Sequence, residues 1–129
     1  MILVDSSIWI ELFNSNLFAK IDLNRLSQLA TCPPVIQEVL QGIKNEKAYS
    51  PIKEGLRALP CLGNPLTLNE YLLASDLYRL ARKKGKTVRS SIDCLIAAIA
   101  INNDIPVWHK DRDFTLLADI SNLKIIEKH

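Results

Sequence analysis

Histidine and cysteine are scarce in this chain, and their spacing is wrong for a metal cage. Its 129 residues include two histidines, His109 and His129, and three cysteines, Cys32, Cys61 and Cys94, with no CxxC pair. That argues against a Cys/His zinc site and against a disulfide framework, and makes a reducing cytoplasm the expected compartment. A basic leader is missing too, because MILVDSSIWIEL meets Asp5 too early for a signal peptide. No apolar run approaches the roughly 20 residues that a membrane span needs. A soluble intracellular protein with no membrane association is therefore expected. Nor is there an excess of one charge. The formal net charge is +2 with 23% charged residues, which indicates neither disorder nor, by itself, a nucleic-acid partner. Repeats, low-complexity runs and linkers are absent. With 48% hydrophobic residues, a single domain spanning 1–129 and one real core are expected.

What is present is an alternation of strand and helix patterns. Ile2–Val4 reads as a buried strand ending at Asp5, with helix-capping Ser6 and Ser7 before a helix over Ile8–Phe13. Ala19–Leu29 has a helical rhythm and Ala30–Cys32 suits a second short strand. Pro33 and Pro34 open a helix running to Gly42. A helix over Ile52–Leu59 should stop at Pro60, Cys61–Gly63 offers a further strand, and Asn64–Pro65 a turn. Leu68–Arg82 reads as a long helix and Lys83–Thr87 as a basic connector. The run SSIDCLIAAIAI, Ser90–Ile101, is the most apolar helix, ending near Asn102–Asn103. Ile105–Trp108 is a strand, Phe114–Leu117 a short helix, and Leu123–Ile126 a last strand. This order predicts an α/β fold, a sandwich around a mostly parallel sheet.

In such sheets ligands bind beyond the carboxyl ends of the strands. Asp5 sits at that end of the first strand, and Asp111 and Asp113 sit just beyond Ile105–Trp108. Glu38 and Asp93 lie in or near the first turns of helices. If those helices begin at the same edge, all five acids converge. Singly, each has an ordinary explanation: Asp93 as capping-box partner of Ser90, Glu38 as a solvated helix residue, Asp5 as a turn or N-cap, Asp111 and Asp113 as a charged turn with Lys110 and Arg112. Together they would repel one another unless a hard cation intervened. Mg²⁺ and Mn²⁺ take oxygen ligands and activate water for phosphodiester cleavage. With no histidine in the cluster, the metal itself is expected to activate that water.

RLARKKGKTVR, Arg79–Arg89, holds six cations and no acid. Alone it reads as a solvated helix end that complements the helix dipole. It leads directly into the Asp93 helix, however, and a polyanionic substrate needs cations beside an acidic site.

Four stretches, VDSSIWIEL, PPVIQEVLQG, TVRSSIDCLIAAIAI and HKDRDF, span nearly the whole chain in order. With them the sequence resembles the PIN-domain nucleases, specifically VapC-type toxins of prokaryotic toxin–antitoxin systems. The resemblance implies a PIN-like three-layer α/β/α sandwich with Mg²⁺- or Mn²⁺-dependent endoribonuclease activity, often on transfer or ribosomal RNA. It makes Asp5, Glu38, Asp93 and Asp111 the catalytic acids, and Asp5, Asp93, Asp111 and Asp113 the metal ligands. Ser7 becomes a supporting hydroxyl, and Arg89 and Lys110 phosphate contacts. It also implies a homodimer neutralised by a small VapB-type antitoxin whose C-terminal segment enters the active-site groove. The main departure is Trp108–His109, where smaller aliphatic or hydroxyl residues are common. Trp108 is expected to pack and His109 to be structural.

Two other readings stay open on the residues. One is a small metal-dependent phosphohydrolase, although an aspartyl phosphatase commonly wants a second aspartate where Ser7 stands. The other is a non-catalytic RNA-binding or interaction module, against which the intact acid set argues.

Overall fold

The computed structural model describes residues 1–15 and 21–127. Its centre is β1 (Ile2–Val4), flanked by β2 (Leu29–Ala30) and β3 (Val107–Trp108), with β4 (Ile125–Ile126) outside β3. All pairings are parallel. Ile2 lies opposite Leu29 and Leu3 opposite Ala30, while Val4 lies opposite Trp108, and Trp108 opposite Ile126. The strands are short because only two or three residues of each lie on the ladder. Pro106 precedes β3, yet its carbonyl still accepts from the Leu3 N–H at 2.9 Å. The expected strands at Ile105–Trp108 and Leu123–Ile126 are thus present but trimmed to their last two residues.

The helices are α1 (Ser6–Asn14), α2 (Leu23–Leu26), α3 (Pro33–Gln41), α4 (Glu46–Arg57), α5 (Leu68–Lys83), α6 (Ser91–Asn102) and α7 (Arg112–Ile120). The β1→β2 connection runs one way across the sheet, and β2→β3 and β3→β4 run the other. Right-handed crossovers then put their helices on opposite faces, which makes the three layers.

Several expectations need correcting. The helical rhythm of Ala19–Leu29 yields one helical turn, α2, and Leu29 belongs to β2, where pairing with Ile2 overrides local periodicity. Ala19 and Lys20 lie outside the described residues. Cys32 caps α3 rather than ending the second strand. Of Cys61–Gly63 only Cys61 pairs, in one parallel bridge to Thr31. α4 starts six residues before the expected Ile52, at Glu46, behind the N-cap Asn45, whose side chain accepts from the Lys47 N–H at 3.0 Å. Pro51 is tolerated inside α4 because it is exposed, where solvent satisfies the Lys47 carbonyl it leaves without a donor. α7 is also longer than Phe114–Leu117, since Asp111 caps it at one end.

α6 carries the core. Every residue from Asp93 to Ala100 is buried, as expected for a helix that is apolar all round. Alanines at 97, 98 and 100 let α3, α5 and α7 approach closely, and Ile96 and Ile99 fill the space between. The helix ends where the sequence indicated. The Asn103 side chain donates to the Ile99 carbonyl at 2.8 Å, and Asp104 turns into the left-handed region with φ 52°. Because Ala97 is completely buried, Ala97→Leu is expected to overpack this junction and cost about 1–3 kcal/mol, read as a lower urea midpoint with an unchanged slope.

Candidate metal centre

Parallel pairing of β1 with β3 brings their carboxyl ends together, and the strand order reverses between them. Such a reversal leaves a crevice. Three helices start there. Asp5 is the N-cap of α1, Asp111 is the N-cap of α7, and Asp93 lies in the first turn of α6. Each acid thus sits at the positive end of a helix dipole.

The hydrogen bonds assign different work to each. The Asp5 Oδ2 accepts from the Ser7 hydroxyl at 2.6 Å and the Ser7 N–H at 3.3 Å, so Ser7 does orient Asp5. The Asp111 Oδ1 accepts from the Asp113 N–H at 2.9 Å. Asp113 is buried, and its Oδ2 accepts from the Arg89 and Ser90 N–H groups at 3.0 and 3.1 Å. Glu38, on α3, is half-buried and takes the Ser6 hydroxyl at 3.1 Å. The Ser90–Asp93 capping box is not formed: the Ser90 hydroxyl makes no cap bond, and Asp113 of α7 supplies the acceptor at the start of α6 instead. Capping from another helix is invisible to a local motif.

One oxygen each of Asp93, Asp111 and Asp113 lie within 4.8 Å of one another. Oxygens on opposite sides of an octahedral Mg²⁺ are about 4.2 Å apart, twice its bond length, so slight closure brings all three within reach of one ion. The Asp5 Oδ1, Asp93 Oδ2 and Asp113 Oδ1 are buried and have no hydrogen-bond partner. Such oxygens are costly unless a proton or cation meets them. The donor set, carboxylates with no thiolate or imidazole, suits Mg²⁺ or Mn²⁺. Asp5 and Glu38 stand outside the tightest group but are coupled to it through charge. Burial raises the Asp5 pKa, opposed by the Ser7 and Ser6 bonds and reinforced by Asp111. Burial likewise raises Glu38, the Ser6 bond opposes it, and Asp5 and Asp111 add. Asp93 is pushed up to about 8, first by burial and then by the charges of Asp5 and Asp111, with Asp113 adding to the rise.

The proposed phosphate contacts divide. The Arg89 side chain is exposed beside the cluster while its N–H holds Asp113. Lys110 instead forms an ion pair with Glu11 of α1 at 2.5 Å, so a phosphate there would compete with a carboxylate. His109 is fully buried against Phe114, with ring centroids 5.2 Å apart, as expected of a structural side chain. Desolvation lowers its pKa, against a weaker pull from Glu127. Trp108 packs half-buried against the core. Sequence reasoning missed the Asp113 clamp, the Ser6–Glu38 bond and the Lys110–Glu11 pair, none of which leaves a signal at short range. The Thr67–Glu70 cap of α5, in which Glu70 accepts from the Thr67 N–H and hydroxyl, was within reach as a T-x-x-E pattern.

The family model for the PIN domain matches residues 2–120, and that defines the class of fold. Ribonuclease VapC11 of Mycobacterium tuberculosis and VapC ribonuclease Mb1587 of Mycobacterium bovis are each 36% identical over 130 residues, covering 96% of both chains. The chain belongs to the PIN-domain family of VapC ribonucleases. Among solved structures, a toxin–antitoxin complex from Klebsiella pneumoniae matches with a TM-score of 0.74 at 19% identity, over 98% of this chain and 97% of that one. VapBC2 from Rickettsia felis, bound to a DNA fragment from the promoter, matches at 0.69 with 17% identity over 98% of each. At such identities these structures show the shared fold. No helix among the described residues is long and apolar enough to cross a membrane.

The raised carboxyls set the direction of pH dependence. An acid with folded pKa above its unfolded value binds the extra proton in the folded state, so stability is full below about pH 4 and falls as pH rises through the folded value. For Asp93 that window runs from 3.8 to about 8. The metal-free protein is therefore expected to melt at lower temperature at pH 8 than at pH 5.5. Mn²⁺ should restore more stability at pH 8 than at pH 5.5, because a cation needs the ionised form. Asp93→Asn should remove most of both effects and, without metal at pH 8, be more stable than wild type by at least about 1 kcal/mol. Thermal melts with Mn²⁺ and with EDTA at both pH values check all three.

Proposed function

We propose that this chain is a divalent-metal-dependent endoribonuclease, the toxin of a toxin–antitoxin pair. The observation that carries the reading is the set of buried, partnerless carboxylate oxygens on Asp5, Asp93 and Asp113 at one sheet edge. The kinship with VapC ribonucleases supports RNA as substrate. Asp93, Asp111 and Asp113 would hold Mg²⁺ or Mn²⁺, with Asp5 beside them. A bound ion of this kind supplies an acidified water and neutralises charge on a phosphodiester. Ser7 keeps Asp5 pointed, the clamp on Asp113 keeps α7 against α6, and Glu38 extends the acidic wall. Exposed Arg79, Arg82, Lys83, Lys84 and Arg89 offer the RNA backbone a cationic approach that offsets repulsion from the acids. RNA as substrate places the work in the cytoplasm. The similarity to toxin–antitoxin complexes supports a VapB-type antitoxin as protein partner.

The reading includes a homodimer, supported by α5. Leu68, Tyr71 and Leu72 on α5 are 70%, 51% and 53% exposed, and Tyr78 and Ile92 extend the apolar surface. A groove of about 390 Å³ between α5 and α6 lies beside Tyr71, Tyr78 and Ile92. Between Tyr71 and Tyr78, Ser75 is small and exposed, which allows close approach. The acids Glu70 and Asp76 precede the cations Arg79, Arg82 and Lys83, so an antiparallel two-fold copy sets acids of one protomer against cations of its partner.

RNA incubated with the pure protein and Mn²⁺ should be cut at discrete ends, and EDTA, Asp5→Ala or Asp93→Ala should each lower the rate by about a hundredfold or more. Undiminished cutting by clean Asp93→Ala protein would sink the site. Turnover of phosphomonoesters with none on RNA would favour a phosphohydrolase instead. In sedimentation at tens of micromolar, wild type should run as a dimer and Tyr71→Asp as a folded monomer; a monomeric wild type overturns the pairing.

A further inference from the structure

Lys110 and Glu11 make a contact that holding the fold together does not require. The Lys110 Nζ lies 2.5 Å from the Glu11 Oε2, across 99 residues of sequence. The two side chains stay 45% and 39% exposed, and a pair so open to solvent adds little to stability. The elements it joins are already fixed. The Asp5 N–H donates to the Trp108 carbonyl at 3.0 Å and the Leu3 N–H to that of Pro106 at 2.9 Å, which sets β1 against β3. α1 is anchored by Ile8, Trp9 and Leu12, all buried.

The position of the pair is what distinguishes it. Lys110 immediately precedes Asp111, the N-cap of α7. Glu11 stands one turn beyond Ser7 on the same face of α1, and the Ser7 hydroxyl holds Asp5 at 2.6 Å. The pair therefore spans the crevice between β1 and β3 on the α1 side of the acids, while Arg89 stands on the α6 side. The ammonium beside the acid group is thus taken by a carboxylate outside that group. Lysine is a compact charge on a flexible four-carbon stem, so it can exchange one oxyanion for another without moving the backbone. A phosphodiester oxygen is such an oxyanion, and a strand of them gains further from counterion release.

We propose that Glu11 sets the selectivity of the site for a polyanionic strand: in the free protein it occupies the place of an RNA phosphate on Lys110, and the substrate's phosphate displaces it. This rests on the ribonuclease reading of the site. A small phosphate must break the Lys110–Glu11 pair from solution and gains little by the exchange. A strand already held by Arg89 and the basic connector presents its next phosphate at high effective concentration, so the exchange runs in its favour.

The test follows the anisotropy of a labelled single-stranded oligoribonucleotide over a range of salt, in EDTA so that binding is read without cutting. It compares wild type, Glu11→Gln, Lys110→Gln and the double variant. Glu11→Gln should bind about two- to fivefold tighter, because an exposed pair of ordinary strength no longer has to be broken. Lys110→Gln should bind more weakly, with a log–log salt slope shallower by about 0.7, the loss of one phosphate contact to a single strand. The double variant should match Lys110→Gln, because Glu11 acts through Lys110. With Mn²⁺ present, the Glu11→Gln gain should appear in KM and not in kcat, since Glu11 has left Lys110 before the bond is cut. Equal tightening by Glu11→Gln with and without Lys110 would make Glu11 a general repulsive charge. Weaker binding by Glu11→Gln would make the pair a brace for the crevice. Either result overturns the proposal and leaves the ribonuclease reading intact. If wild type binds no RNA in EDTA or in Mn²⁺, the ribonuclease reading fails and the proposal falls with it.

Discussion

Asp113 spends one carboxylate oxygen on the Arg89 and Ser90 N–H groups and keeps the other, buried and partnerless, near Asp93. The first oxygen joins the start of α7 to the start of α6, across 23 and 24 residues of sequence. The second contributes to a concentration of negative charge that the protein cannot relax by turning the side chain away, because the first oxygen is occupied. Asp111 is caught in the same arrangement, since its Oδ1 holds the Asp113 N–H. The remaining acids are added at the same edge by the parallel pairing of β1 with β3.

Three helix N-termini meet at this edge, and each dipole favours the acid it faces by about 0.3–1 kcal/mol. That does not offset the burial and mutual repulsion that push Asp93 to about 8. The edge is therefore held in place by the rest of the fold. α6 supplies the backing: from Cys94 to Ala100 it is buried on every side, so its first turn cannot retreat without opening the core. A helix this apolar with a carboxylate at its head is locally inconsistent, and such inconsistencies tend to mark functional sites. The cost to stability and the capacity to hold a cation share one cause.

Much of the architecture was legible because it rests on short-range rules. The strand at Ile2–Val4, the helix opening at Pro33, the length of α5 and the end of α6 follow from periodicity, proline placement and turn residues. The errors have physical origins. Leu29 reads as helical by spacing but is claimed by Ile2 on the neighbouring strand. The helix expected from Ile52 begins at Glu46 and carries Pro51 inside it, because an exposed helix face tolerates a proline. The Ser90–Asp93 box fits the local pattern, but a carboxylate from α7 reaches those N–H groups first. For Leu29 and for Ser90 a contact made across the chain displaced the one that neighbouring residues would have chosen.

The sequence by itself determined which residues carry acid, where strands end in carboxylates, and which helix is apolar enough to be buried. These are properties of a residue and its near neighbours. Only the tertiary structure decided how the acids divide their work. It drew Asp93, Asp111 and Asp113 into the tightest group and set Asp5 and Glu38 beside it under Ser7 and Ser6. It committed Lys110 to Glu11 and set the buried His109 ring against Phe114. Distances between side chains separated by tens of residues depend on strand register and helix packing, and register is a property of pairs of segments rather than of either one alone.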